Sequence, residues 1–482
     1  MKNYDKLVDE LRKYPNETQW VEFKHNNYTP DMIGKDISAL ANSATLCEKS
    51  HAYMVWGIDD ATHEIIGTDY NLQSLKKGNQ EIESWLRALL SSNADFEFYS
   101  VPIENKIVGI IMIHRATSYP VSFEKVDYIR VGSYTKKLND YPAIQSQLWD
   151  KIKNLKFEEQ YAIHDLELDN VLKLISYTTY FDLTQRYQPT DPLKIAHYLL
   201  KENIIQKQDD GLYAITNLGA ILFAKDLSNF PHLSRKAIRV VQYQDNSRLS
   251  ILKEYTETRG YVVGFEIVMN FIGALLPSIE VIENAVREQK TEYPILAVRE
   301  AVANALIHQD FSVTGAGPVI EIFDDRIEVT NPGTPLVDVN RIIDTPPRSR
   351  NEKLASLMRR LGLCEELGTG WDKIVMLCES KQLPAPQIEL YTGSMRVILY
   401  ASIPFSYLAY EDKLWACYMH ACLKYAQRRQ LTNASLRKRF GLKDSSSGSI
   451  SRLLKDAVKK HIIKPFDKDT APRYMKYVPF WA

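Results

Sequence analysis

The run AYMVWGID, residues 52–59, is apolar at almost every position and closes in Gly57 and the acid pair Asp59-Asp60. A compact apolar run bounded by such residues reads as a strand buried on both faces, because a strand with one wet face alternates apolar and polar residues. The chain around it must therefore provide further strands and helical cover, and its neighbours read as both. Residues 4–13 read as a short amphipathic helix ended by Pro15, and ETQWVEFKHN (17–26) as a strand by its aromatic and β-branched content. MIGKDISALANSATLC (32–47) has helical spacing and follows the start signal Thr29-Pro30-Asp31. FEFYSVPI, KIVGIIMIHRA and VDYIRVGS continue as strands, so this order predicts an α+β unit ending near residue 150.

One core cannot absorb 482 residues, and the rest of the chain divides further. Residues 151–235 turn mostly helical (DPLKIAHYLLKENII), pass through the hairpin-like QDDGLYAIT and reach NLGAILFAKD, a pattern that predicts a winged-helix linker domain. Residues 236–408 start from IRVVQYQ, carry the long helix GYVVGFEIVMNFIGALL, and then give REAVANALIHQDF, PVIEIFDDRIEVTNPG and EELGTGWDKI. Residues 409–482 hold two helical stretches around a Ser-rich turn, then the strand-like YMKYVPF, and predict a C-terminal winged helix-turn-helix.

Basic and acidic side chains balance at 60 each, so net charge points to no partner and local charge has to decide. The cysteines, Cys47, Cys364, Cys378, Cys417 and Cys422, form no CxxC pair, which fits a reduced setting better than a disulfide framework or a cysteine zinc site. MKNYDKLVDELRKYP has no apolar signal core and no apolar run is long enough to span a bilayer, so a cytoplasmic protein without membrane partners is expected.

Glu17 and Glu22 flank Trp20-Val21, with Lys24 just beyond. An odd separation puts them on opposite faces of an ideal strand, so they converge only if Glu17 lies in the approach to it. With Asp59 and Asp60 at the end of the 52–59 strand, they form a candidate oxygen-ligand site for Mg2+ or Mn2+, ions that activate water against a phosphodiester. The plainer alternative is that these acids cap turns and pair with lysines.

The segments ETQWVEFKHN, IGKDISALANSA, VWGIDD and YIRVGS together resemble the Schlafen-like AlbA domain family over roughly residues 10–140. That resemblance implies an α/β nuclease-type domain at 1–150 whose catalytic acids and metal ligands are Glu17, Glu22 and Asp60. Asp59 competes for the third place, and Lys24 lies near the phosphate. One departure is that the family's Gly-Gly before the second strand is Ser50-His51-Ala52 here.

In REAVANALIHQDF, Glu300, Asn304 and His308 fall at i, i+4 and i+8, a polar stripe on an otherwise apolar helix that faces either solvent or a ligand. Downstream come Asn331-Pro332-Gly333 and Gly368-Thr369-Gly370, the latter just before a helix expected from Trp371, where backbone can approach a phosphate. This set resembles the GHKL ATPase fold over about 290–385, in a divergent branch that often follows a Schlafen-like domain. It implies an α/β sandwich at 236–408 that binds ATP, with Glu300 orienting a water and Asn304 on Mg2+. His308, Asn331, Gly333, Gly368 and Gly370 fall around the nucleotide. Asn331-Pro332-Gly333 replaces the usual adenine-reading D-x-G, with Asp325 a weak substitute, and Arg348-Ser349-Arg350-Asn351 is a candidate lid or a plain basic loop.

The tail is locally basic, and Arg437, Lys438, Arg439, Arg452 and Lys455 are its candidate phosphate contacts, against the alternative of a solvated face on a protein-interaction module. The expectation is thus an α+β multidomain chain acting as an ATP-binding, metal-dependent Schlafen-like endonuclease on DNA or RNA, homo-oligomeric by analogy and suited to anti-phage defence. The competing expectation is a non-catalytic, ATP-responsive transcription regulator. A helicase is disfavoured by the lack of a GxxxxGK[ST] loop.

Overall fold

The structure is a computed structural model. It describes residues 4–14, 18–26, 29–59, 62–154, 156–208, 211–283, 286–346, 348–364, 370–467, 469–471 and 474–482. Glu17, Asp60 and Gly368 lie outside the described residues. The chain forms two compact units, residues 1–168 with 206–214, and residues 169–205 with 215–482.

In the first unit, four strands run in the order Val21–Lys24, His51–Trp56, Lys106–His114, Phe96–Ile103. The first two are parallel and the others antiparallel. A parallel pair needs a crossover, and the helix Pro30–Leu46 supplies it, with Pro30 in its first turn after Thr29. Every residue of His51–Trp56 is buried, as the apolar run requires.

VDYIRVGS does not join that sheet. Its strand, Val126–Val131, pairs with Ser122–Phe123 and Tyr134–Lys137 in a separate small sheet. Side chains of the crossover helix hold it. Ser38 Oγ donates to Val121 O (2.7 Å), and Asn42 Nδ2 to Val121 O and Tyr128 O (both 2.8 Å). In return Asn42 Oδ1 accepts from Val121 N, and Ser43 Oγ accepts from Arg130 N at 3.0 Å. The polar residues of ISALANSA are thus buried because they satisfy strand backbone that no neighbouring strand reaches.

In the second unit, six strands run in the order Ile251–Glu257, Ile238–Tyr243, Val319–Ile322, Arg326–Pro332, Ser394–Tyr400, Gln387–Tyr391. Helices Tyr261–Leu275, Ile295–Ile307 and Gly370–Ser380 form the layer against it, giving an α/β sandwich. Ile327, Val329 and Asn331 alternate along one strand and are all buried, whereas Arg326 and Glu328 point to the other face and pair with each other (2.6 Å). The C-terminal residues give helices Tyr410–Ala426, Asn433–Arg439 and Ser447–Lys459, then a hairpin of Ile463–Pro465 with Tyr477–Pro479.

Candidate functional site

Glu22 and Lys24 are two apart on one strand, so they share a face, and the crossover helix brings Asp36 onto that face. Lys24 Nζ donates to Glu22 Oε1 and stands 4.0 Å from Asp36 Oδ2. From the small sheet, Arg130 Nη2 donates to Glu22 Oε2, and Arg130 Nη1 lies 4.0 Å from Asp36 Oδ1. Thr135 Oγ1 donates to Asp36 at 2.5 Å. The result is a nearly neutral cluster of two carboxylates and two cations, with Glu22 only 5% exposed. Burial pushes the Asp36 carboxyl above its ordinary range, opposed by Thr135 and Lys24. Arg130 also lines a cavity of about 840 Å3 in this unit, beside Gln19, Arg115 and Lys151.

Asp59 is placed differently. Its Oδ1 accepts from Thr62 N (2.8 Å) and Thr62 Oγ1 (2.9 Å), beyond which Ile65 pairs back with Ile58. Of the acidic set among the described residues, Glu22 and Lys24 meet, and Asp59 serves the turn. Asp36 and Arg130 were missed although both sit in quoted motifs, IGKDIS and YIRVGS. Neither spacing announces that the helix and the small sheet close over the same strand face.

The second unit gathers its candidates more fully. Glu300, Asn304, His308, Asn331, Gly333 and Gly370 all line one cavity of about 650 Å3. The helix ends at Ile307, so His308 is its C-cap rather than a third helical position, with its N–H on Asn304 O at 2.9 Å. Burial, with Arg350 nearby, pushes the His308 imidazole down to about 4, so it is neutral at pH 7. The Asn331 side chain, on a residue 2% exposed, keeps an oxygen with no hydrogen-bond partner among the described residues.

Among the described residues the helix runs Gly370–Ser380 and so includes Gly370, one residue before the expected Trp371. A Cβ on Gly370 would stand 2.3 Å from Glu300 Oε1 and 3.1 Å from Asn304 Nδ2, so a side chain at this position would push Glu300 aside. Gly333 takes φ +107°, a left-handed backbone that a side chain would strain. Two expectations are corrected. Asp325 is bound to Arg326 (2.8 Å) and its side chain is 47% exposed, at the far end of the strand from Asn331. Arg350 is no free lid residue, because it donates to His308 O (3.1 Å) and Thr334 O (2.8 Å). Arg348 and Arg359 join it in the cavity wall.

Among the basic residues, Lys438, Arg452 and Lys455 are exposed. Arg437 is half-buried and pairs with Asp444 and with Asn433 Oδ1 (2.8 Å). Arg439 contradicts its expected role. It is 3% exposed and donates to Leu383 O at 2.8 Å, which makes it a core contact that no phosphate can reach.

Comparison with known proteins fits this geometry. The Schlafen, AlbA_2 family model matches residues 17–139. A second family model, "Putative ATP-dependent DNA helicase recG C-terminal" of the HATPase_c_4 type, matches residues 315–399, which include Asn331, Gly333 and Gly370 but not the helix of Glu300. No curated protein matches the chain. Among solved structures, the DIP2311 protein from Corynebacterium diphtheriae aligns over 99% of this chain and 97% of its own at 16% identity, with a TM-score of 0.43. The chain thus carries a Schlafen, AlbA_2-type segment at 17–139 and an ATPase-type segment at 315–399.

Proposed function

We propose that this protein is an ATP-binding, divalent-metal-dependent nuclease of nucleic acid, suited to anti-phage defence. The family matches make it a nucleic-acid-related protein with an ATP-binding domain. The observation that supports the ATP-binding part of this reading is the one cavity lined by Glu300, Asn304, His308, Asn331, Gly333 and Gly370. Its chemistry fits a nucleotide. The Asn331 oxygen, without a hydrogen-bond partner among the described residues, offers an acceptor for an exocyclic amine. The N-terminus of Gly370–Ser380 and the guanidiniums of Arg348 and Arg359 offer favourable charge to phosphates. Asn304 would hold Mg2+, which neutralises phosphate charge when bound. Glu300, buried beside Gly370, is the group that orients a water, and neutral His308 can donate one hydrogen bond without adding charge.

In the first unit Glu22 is the carboxylate that, with Glu17 and Asp60, would take Mg2+ or Mn2+, and such an ion supplies activated water for phosphodiester hydrolysis. Lys24 and Arg130 hold Glu22 in place and neutralise it until then. Nucleic acid would be held by the C-terminal helices, read as a winged helix with Ser447–Lys459 as recognition helix, through Lys438, Arg452 and Lys455. ATP-dependent self-association and a cytoplasmic location complete the reading. Among the described residues no helix is long and apolar enough to cross a membrane.

A second reading has its own support. Both Glu22 oxygens are engaged by cations and Asp59 is engaged in a turn, which suits a structural acidic cluster in a non-catalytic, ATP-responsive regulator. Incubating the purified protein with labelled single-stranded DNA, duplex DNA and tRNA, with Mg2+ or Mn2+ and with or without ATP, separates the two. Cleavage that Glu22→Ala abolishes supports the nuclease. Intact nucleic acid in every lane, with binding retained, supports the regulator.

A further inference from the structure

His51 opens the buried strand His51–Trp56, and the fold gives it company. His51 and His114 are partners in the register of adjacent antiparallel strands, so their rings meet at one end of the sheet, with centroids 4.6 Å apart. The strand Tyr161–Leu166 of the same unit brings His164, whose ring lies 5.5 Å from that of His51 and 4.8 Å from that of His114. Asp165 follows it, so three imidazoles and a carboxylate from three separate strands converge.

Ligand atoms of His51, His164 and Asp165 all lie within 4.8 Å of one another, a spread that small side-chain rotations close to the separation of ligands around one ion. His51 is 3% exposed and the Asp165 side chain 7%, while the His164 side chain, at 31%, leaves a way in. His114 Nε2 is buried, makes no hydrogen bond among the described residues and stands 3.8 Å from Asp95 Oδ2. Neighbours orient the ligands as they do around bound metals: Ser50 Oγ lies 2.9 Å from His51 Nδ1, and Gln208 Nε2 donates to Asp165 Oδ1 at 3.1 Å.

We propose that His51, His114, His164 and Asp165 form a binding site for a transition-metal ion of the Zn2+ class that fastens residues 161–166 to the end of the four-stranded sheet. Imidazole nitrogens with one carboxylate suit Zn2+ or Co2+, whereas Mg2+ takes oxygen ligands and retains water. The site is distinct from the Glu22 cluster in both residues and ligand chemistry, and it stands whether or not the protein is a nuclease.

The test is titration of chelator-stripped full-length protein with Co2+, followed by displacement with Zn2+. One equivalent of Co2+ should give the visible absorption of a tetrahedral complex, and Zn2+ should abolish it. His164→Ala should weaken binding at least about 10-fold, and Glu22→Gln should leave it unchanged. Because an alanine variant can unfold, His51→Cys is the second variant. It keeps a ligand and should add thiolate-to-cobalt charge-transfer absorption in protein whose circular dichroism is native. Wild-type protein that gives no tetrahedral spectrum, or a folded His51→Cys variant whose spectrum lacks the new band, would overturn the proposal.

Discussion

Glu22 and Arg130, 108 residues apart in sequence, are joined by a charge-assisted hydrogen bond with both side chains almost fully buried. A buried pair resists the loss of one partner more than its net worth suggests, because the survivor is left charged in a poor solvent. Arg130→Ala should therefore destabilise the first unit by about 3 kcal/mol, while Arg130→Ala in a Glu22→Gln background should cost clearly less. Urea midpoints of the two singles and the double check this. Equal cost in both backgrounds would show that the pair is uncoupled.

Gly370→Ala probes the proposed nucleotide cavity without removing any polar group. Its methyl would sit 2.3 Å from Glu300 Oε1, so Glu300 or the helix start must move. Mg-ATP affinity measured by calorimetry should fall by at least about 10-fold, or roughly 1.4 kcal/mol. Asn304→Ala should abolish binding, and unchanged affinity would remove Asn304 from the site.

His308 gives the second unit a pH dependence of defined sign. Its folded pKa, about 4, lies below the ordinary 6.5, so the unfolded chain binds the proton first as pH falls. Stability from this residue is present above pH 6.5 and is lost as pH falls through about 4, with a slope approaching about 1.4 kcal/mol per pH unit. His308→Gln should flatten that part of the stability profile, as followed by thermal melts between pH 4 and 7.

Arg439 and the pair Arg452 and Lys455 should separate stability from nucleic-acid binding. Replacing both Arg452 and Lys455 with alanine should lower the slope of log affinity against log salt by about 2, near one unit per phosphate contact. Arg439→Ala should leave that slope alone and lower the melting temperature, since it removes the contact with Leu383 O. Anisotropy with a labelled duplex reads the first effect. An unchanged slope in the double variant would count against this face as the phosphate contact.

Asn42→Ala removes three hydrogen bonds from the crossover helix to the Val121 and Tyr128 backbones and leaves those groups buried. A cost of about 2–3 kcal/mol follows if the loss behaves as unsatisfied buried backbone. Hydrogen exchange should show residues 121–130 opening before the four-stranded sheet does.

Much of the fold was legible because it is written in local periodicity. AYMVWGID lies almost wholly within or beside a fully buried strand, FEFYSVPI spans its strand end to end, and Thr29-Pro30 starts its helix. Where an end differs, as at His308, the helix terminus was decided by capping. VDYIRVGS read correctly as a strand but not as a member of a separate sheet, because strand pairing is not a property of one strand.

The sequence by itself marked many of the helices and strands, the resemblance to the two families, and the grouping of Glu300 with Asn304, whose four-residue spacing sets them on one helical face. Only the tertiary structure decided that Asp36 and Arg130 close on Glu22, that Arg439 points inward, and that His51, His114 and His164 meet. Those residues stand tens of residues apart, on elements whose order in a sheet and whose packing depend on the whole core. Burial then decides which charge is available to a ligand and which one holds the fold together.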